Sequence, residues 1–477
     1  MDEKILKYAE NKNLIITEEA LRLLNIYNYK KVIDSLSTED LFITPEHIKK
    51  ILNACKIEEK KEYYKNFNIL EKYDVTNKNL SQGSVPDFLK LFVDKYETLS
   101  GIIKKRVDFK PITIAQAKTE IKNKEVDIIA MVCEKRITKN GNMLIVVDDP
   151  TGKINLIMTC KTPDELIQAK QLLNDNVIGF RCGVLSKDML IVKEYYFPDI
   201  PYEQKNTNLD DDCYVAIIAD THVGSKLFLE DDFIDFIDWL NNKNCEDTEL
   251  VSKIKYLIVA GDLVDGIGIY PKQFSELAIT DIFEQYQLFE EHILKIPQDI
   301  EIFISPGNHD AVRLSDPQPA VSDKFLPRLY TKENIHMLGS PTWIDLEGLL
   351  FLVYHGNSLH GIFGEIQGVK TDRPDHALRE LLKRRDLMPQ YGERQMFMPI
   401  EKNFLTINEV PDVFICGHIH HHSFSKYKHT HLIAASCWQS ITSYQIDNGH
   451  IPTLSKVILF NLKTQEIIVK DFYKDRK

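Results

Sequence analysis

A chain of 477 residues with 43% hydrophobic and 27% charged residues is too long for one ordinary core and too apolar for a disordered polymer, so two to four folded domains are expected. Its formal charge of −12 excludes a protein that grips long nucleic acid by an overall basic surface; any such grip is local or supplied by a partner. No apolar run approaches the roughly eighteen residues of a bilayer crossing, the opening Met1-Asp2-Glu3-Lys4 lacks the apolar heart of a secretory signal, and eight scattered cysteines without a C-x-x-C pair suit reduced thiols, so a cytoplasmic protein with no membrane association is expected.

Residues 1–55 read as a small helical module. Thr44-Pro45-Glu46 is a helix start, with a capping hydroxyl and proline at the first helical position, and Ile48, Ile51 and Leu52 recur on one face beyond it. Residues 56–86, rich in Lys, Glu, Asn and Ser, read as a charged, extended linker. A helical pattern near 87–105 opens a third segment, 87–205. There the β-rich runs Val126–Cys133, Met143–Val147, Ile154–Met158, Val177–Phe180 and Met189–Val192 are separated by the turns Asn140-Gly141 and Asp149-Pro150-Thr151-Gly152 and by a helix near Pro163–Leu173. Five short strands with a helix after the third suit an OB-fold-like β-barrel, either a single-strand binder or a docking module; an aromatic stacking platform is not evident in it.

From residue 206 to 477 the pattern changes to near-continuous apolar runs, Val215–Ala219, Tyr256–Ala260, Ile302–Ser305, Leu349–Tyr354 and Val413–Cys416, with helical segments Phe233–Leu240 and Ile282–Ile296 between them. Such runs suit sheets buried on both faces, hence an α/β domain with its function at the strand ends. Five motifs stand at those ends: Asp220-Thr221-His222, Gly261-Asp262-Leu263-Val264-Asp265, Gly307-Asn308-His309-Asp310, His355-Gly356 and Gly417-His418-Ile419-His420. Fourteen of the fifteen histidines lie at or beyond His222. Carboxylate, imidazole and amide oxygen without thiolate suit Mn²⁺, Zn²⁺, Fe²⁺ or Mg²⁺ rather than a soft metal. Alternate residues of D-x-H and H-x-H can share a side if the backbone stays extended. His360 lies near enough to His355 to compete with it, His421 and His422 read as solvated or supporting residues, and Asp310 as a turn residue.

The five motifs, in this order, resemble those of the calcineurin-like metallophosphoesterases, whose domain is a β-sandwich flanked by helices. The resemblance implies a two-metal centre: Asp220, His222, Asp262 and His420 for one ion, Asn308, His355 and His418 for the second, Asp262 bridging them, and His309 as general acid oriented by Asp265. Together with the N-terminal segments it gives a multidomain α+β chain.

The flanks narrow the resemblance. Gly307 to Arg313 followed by Pro317-Gln318-Pro319-Ala320, then Leu382-Lys383-Arg384-Arg385, Tyr391-Gly392-Glu393-Arg394 and Glu409-Val410-Pro411-Asp412, are similar to the small-subunit family of the archaeal D-family DNA polymerase. That resemblance implies a 3′→5′ proofreading exonuclease, expected to act on single-stranded or frayed DNA 3′ ends, and the thiolate-free ligand set makes Mn²⁺ the expected metal. The resemblance also implies a large polymerase subunit as partner, which would resolve the charge. Arg313, Lys383, Arg384, Arg385 and Arg394 are candidate DNA-backbone contacts. The rivals are another phosphatase or phosphodiesterase on the same centre, and a mainly scaffolding polymerase subunit. Gln465 and Ile468 have the spacing of a sliding-clamp motif, but Asp471 stands where an aromatic residue is needed, so a final strand is expected there.

Overall fold

The computed structural model describes residues 2–10, 12, 14–26, 29–34, 42–55, 65–78, 81–243, 247–392, 396–400 and 402–475. They fall into two compact units, Met1–Lys65 and Asn66–Lys477. In the first, helices Asp2–Glu10, Glu18–Ile26, Tyr29–Asp34 and Pro45–Cys55 bury Ile5, Leu24, Val32 and Ile48 around a short parallel pairing of Ile15–Ile16 with Phe42–Ile43.

The second unit holds a barrel and a sandwich. Strands Glu125–Ile137, Met143–Asp149, Gly152–Met158, Val177–Ser186 and Met189–Tyr196 form the barrel, and helix Pro163–Lys170 follows the third strand. The first strand also pairs antiparallel with the fourth, from Glu125 opposite Gly183 to Met131 opposite Val177, and this closes the sheet on itself. Closure leaves no long free edge, so alternate residues such as Ile128, Ala130, Val147, Leu156 and Phe180 can all turn inward and be buried.

Apart from Pro111–Ile112, which pairs in parallel with Asp127–Ile128 of the barrel, the remaining strands of this unit form two six-stranded sheets. One orders Ile335–Met337, Glu301–Ser305, Ile254–Ala260, Tyr214–Ile218, Lys456–Asn461 and Ile467–Asp471, the first four parallel. The other orders Ser423–Tyr427, Thr430–Ala434, Val413–Cys416, Leu349–Val353, Thr342–Leu346 and Phe67–Ile69. Phe351 of one meets Phe460 of the other edge to face, ring centroids 5.9 Å apart. The opposite faces bury Ile218, Val259 and Ile304 under helices Glu230–Leu240 and Ile282–Ile293, and Leu352, Phe414 and Leu432 under helices Leu359–Glu365 and Pro374–Arg384. A sheet covered on both sides has no solvent face, which is why its strands read as unbroken apolar runs. Among the described residues, no helix is long and apolar enough to cross a membrane.

The charged linker expected over 56–86 is not a free segment from residue 66 onward, whereas residues 56–64 lie outside the described ones. Phe67–Ile69 adds an antiparallel edge strand against Thr342–Leu346. Tyr73 donates to Glu409 at 2.7 Å, and Phe67 packs on Phe303 with centroids 5.4 Å apart. A few anchoring aromatics among many charges are enough to dock such a stretch on a sheet edge.

Helix Val85–Ile103 couples barrel to sandwich. It starts on a capping box in which Ser84 and Asp87 exchange hydrogen bonds. Its Leu91 packs into the sandwich core and its Leu99 and Ile103 pack against Ile129 and Val177 of the barrel. Midway, the Lys95 ammonium lies 2.7 Å from Asp386 Oδ2, with both side chains almost wholly buried, and donates to the Pro389 carbonyl. Removing one partner of such a pair leaves an uncompensated buried charge. Lys95→Met is therefore expected to cost about 3–5 kcal/mol in urea denaturation, and Lys95→Met with Asp386→Leu to recover most of that loss.

Candidate metal centre

Five buried strands, three from one sheet and two from the other, deliver their carboxyl ends to one place. Strand Tyr214–Ile218 leads into Asp220 and His222, Ile254–Ala260 into Asp262, Glu301–Ser305 into Asn308 and His309, Leu349–Val353 into His355, and Val413–Cys416 into His418 and His420. Ligand atoms of Asp220, His222, Asp262 and His420 all lie within 4.8 Å of one another, and so do those of Asp262, His355 and His418. Asp262 belongs to both groups.

In the first group, His222 Nε2 is 3.0 Å from His420 Nε2 and 3.7 Å from Asp262 Oδ2, and His420 Nε2 is 3.5 Å from Asp220 Oδ1. In the second, His355 Nε2 is 3.2 Å from Asp262 Oδ2. The buried Oδ1 of Asn308 and Nδ1 of His418 make no hydrogen bond within the protein. A buried polar atom without a partner is costly, so a convergence of such atoms beside two carboxylates fits a bound cation. The donor set, all oxygen and imidazole nitrogen, fits a hard or borderline divalent ion.

The backbone departs from the extended form expected of D-x-H and H-x-H. Asp220, His222, Asp262, His418 and His420 all have φ between 47° and 69°, the left-handed region. Each such residue costs on the order of 1–3 kcal/mol and persists where its surroundings over-determine it. Here they do: Asp220 and His222 donate their amides to the carbonyls of Gly261 and Asp262, and the Asp220 carboxylate accepts from the amide of His418 at 3.0 Å. Gly307 is needed for a different reason, since a Cβ there would run into the Asp262 carboxylate and amide and the His355 ring.

Side-chain nitrogens are oriented from behind. His355 Nδ1 donates to the Ala260 carbonyl at 2.8 Å, which turns Nε2 to the centre, and His309 Nδ1 donates to the Asp265 carbonyl at 2.7 Å. Asp265 meets the His309 ring through its backbone carbonyl rather than its carboxylate. The carboxylate instead lies 3.2 Å from His222 Nδ1 and accepts from Gln273 and Gln439. The Gln445 amide lies 2.9 Å from His420 Nδ1. Burial disfavours a charged ring at His355, but Asp262 and Asp220 outweigh it and push it up to about 10. Burial, with Asp262 adding to it against His355, raises Asp220 to about 7. Burial likewise opposes charge on Asp262, yet His355, His309 and His222 hold it well below the usual carboxylate range.

His360 lines the cleft, with its ring 5.1 Å from that of His418, but it is His355 that is buried against Asp262. Asp310 accepts from the amides of Gly307 and Leu263 and from Tyr286, which fixes the turn carrying Asn308 and His309. His421 Nδ1 lies 3.1 Å from Thr453 Oγ1, away from the two ligand groups.

Four of the five basic candidates make contacts within the protein. Arg384 is buried, bonded to Glu380 at 2.6 Å and to Gln171 and Asn176 of the barrel segment. Buried Arg385 donates to the carbonyls of Ile407 and Asn408, both at 2.7 Å. Half-buried Arg313 closes its own loop on the Pro317 carbonyl, and the Lys383 ammonium lies 4.6 Å from the Phe197 ring centre. These guanidinium and ammonium groups are spent on the protein itself. Arg394 lies outside the described residues.

The centre opens onto a cleft of about 520 Å³. Its two buried, imidazole-bearing groups on an α/β sandwich define a candidate metal-binding protein. Residues 215–426 match the B-subunit family of the DNA polymerases alpha and epsilon. The chain is 36% identical over 477 residues to the DNA polymerase II small subunit of Thermoplasma acidophilum, covering 98% of this chain and 92% of that one. It is 38% identical over 375 residues to the protein of that name in Archaeoglobus fulgidus (78% and 74% covered) and 35% over 400 residues to that of Methanothermobacter thermautotrophicus (83% and 81%). The chain belongs to the archaeal D-family DNA polymerase small subunits.

Because Gly307 leaves no room for a methyl group beside Asp262, Gly307→Ala is expected to weaken binding of an added divalent ion roughly tenfold or more while far-ultraviolet circular dichroism stays unchanged. Elemental analysis of dialysed protein measures the loss.

Proposed function

We propose that this chain is the proofreading 3′→5′ exonuclease of a replicative D-family DNA polymerase, using two divalent ions, foremost Mn²⁺, and working with a large catalytic subunit. The observation that supports it most is the meeting, in a polymerase small subunit, of seven ligand residues from five strand ends, with unpartnered buried atoms on Asn308 and His418. A subunit kept only as a scaffold has no need to hold so much desolvated charge together. The closed barrel is read as an OB-fold that docks the large subunit or guides a single strand. The sandwich is read as the calcineurin-like catalytic domain.

When bound, the two ions supply charge neutralisation of the phosphodiester and acidification of the attacking water. The protein's part is positioning and proton transfer. Asp220, His222 and His420 would hold one ion and Asn308, His355 and His418 the other, with Asp262 shared by both groups. His309 has Nδ1 committed to the Asp265 carbonyl, so Nε2 is the nitrogen left to serve the leaving oxygen. Burial works against charge on His309 and lowers its pKa, while Asp262 works in the other direction.

The burial of the candidate ligands supports a frayed or single-stranded end as substrate. A terminal phosphodiester reaches it only after the last base pair opens, and mispaired ends open at lower cost, so selectivity needs no reading of base identity. The charge of −12 gives this chain little hold on a duplex, and the large subunit is assigned that role.

DNA labelled at its 5′ end, with and without the large subunit, is expected to give a ladder shortening from the 3′ end that stops on chelation. Hydrolysis confined to phosphopeptides or cyclic nucleotides, with DNA intact even in the complex, would overturn the reading. In the same assay His309→Ala is expected to keep its manganese and lose on the order of 10²–10⁴ in rate, whereas Asp262→Ala loses metal and rate together. A His309→Ala protein that released metal but kept its rate would reverse the assignment of roles.

A further inference from the structure

We propose that Tyr270 and Tyr444 form an aromatic platform at the mouth of the metal cleft, on which the terminal base of a single-stranded nucleic acid stacks. This deepens the exonuclease reading and rests on it for the choice of substrate. Both rings line the cleft, their centroids 5.9 Å apart and their planes inclined by 40°. Tyr270 lies 6.1 Å from the ring of His309, so the platform stands beside the group assigned to the leaving oxygen. Tyr444 is 55% exposed, so much of its ring is open to the cleft it lines. Rings already in contact leave no slot between them, so the base lies on the open face of Tyr444.

The platform is held in place rather than left to swing. Tyr270 donates its hydroxyl to Glu276 Oε2 at 2.9 Å, and the other oxygen of that carboxylate accepts from the amide of Ser443. One carboxylate thus ties together the loop bearing Tyr270 and the helix Ser443–Asp447 that bears Tyr444. That helix is capped by Thr442 on the amide of Gln445, whose side chain contacts His420. Tyr444 and a buttress of the metal centre are therefore neighbours on one short element. Stacking suits this protein physically: every base has a π-face, so it is tolerant of sequence, and it supplies affinity without the basic surface that a charge of −12 denies.

The test uses the full chain and a single-stranded oligonucleotide ending in 3′-terminal 2-aminopurine, with a non-hydrolysable last linkage. The wild type is expected to quench its fluorescence. Tyr444→Ala, at an exposed position, is expected to abolish the quenching and weaken binding roughly tenfold, Tyr444→Phe to retain both, and an oligonucleotide with an abasic 3′ end to bind wild type and Tyr444→Ala alike. Equal quenching and equal affinity in wild type and Tyr444→Ala would overturn the platform. The exonuclease reading is judged separately, on hydrolysable DNA with manganese. Quenching without shortening sinks that reading and leaves the platform standing, whereas shortening by a wild type whose binding ignores Tyr444→Ala sinks the platform alone. A wild type that neither quenches nor shortens overturns both.

Discussion

The fold is organised around one electrostatic problem, the burial of Asp220 and Asp262 side by side at the meeting point of two sheets. Two carboxylates removed from water and set against each other are unfavourable unless positive charge and hydrogen bonds surround them. The chain answers with imidazoles from three further strand ends and with backbone amides from His418 and His309. The divalent ions proposed for this centre would answer more fully, because a bound cation is often the largest local charge in a site. The left-handed backbone at five of the candidate ligands, and the absence of a side chain at Gly307, accompany the close approach of those groups. The flanking layers are large enough to hold such a conformation: both sheets are covered on their outer faces, and Tyr286 reaches Asp310 from a helix that also packs the core.

What the sequence disclosed was local, and what it hid was tertiary. Each strand end announced itself by an apolar run breaking into Asp, His or Gly-Asn, because a strand buried on both faces has to change composition where its sheet ends. Gln445 and Gln439 carried no such mark. An amide that steadies a ligand can come from any loop that reaches the site, and no spacing links it to the histidine it touches. Asp265 shows the same limit, since sequence order does not say whether its carbonyl or its carboxylate faces the His309 ring. The run Lys383-Arg384-Arg385 resembles a solvated basic patch in one dimension. In three, helix Pro374–Arg384 ends against the barrel, and Arg384 spans the junction to Gln171 and Asn176. The edge strand Phe67–Ile69 was masked by the charged residues around it, for a three-residue pairing has too few positions to show an alternation.

The internal use of these cations bears on how the protein meets a polyanion. With Arg313, Arg384 and Arg385 spent internally, among the described residues the entrance to the cleft is marked by tyrosines and histidines rather than by guanidinium groups. The stacking proposed near the centre, with charge supplied by a second subunit, would divide the work in a way an acidic chain permits. Helix Val85–Ile103 gives that division a mechanical basis, since its buried Lys95–Asp386 pair and its two apolar faces lock the barrel to the sandwich. Whatever docks on the barrel is thereby held in register with the metal centre.

The chemistry proposed for this centre requires that it hold two ions at once. Crystals equilibrated with Mn²⁺ and measured at the manganese absorption edge are predicted to show two anomalous peaks roughly 3.5–4 Å apart. One would lie among Asp220, His222 and His420, the other among Asn308, His355 and His418, with Asp262 touching both. A single peak, or ions bound outside these side chains, would contradict the two-metal centre.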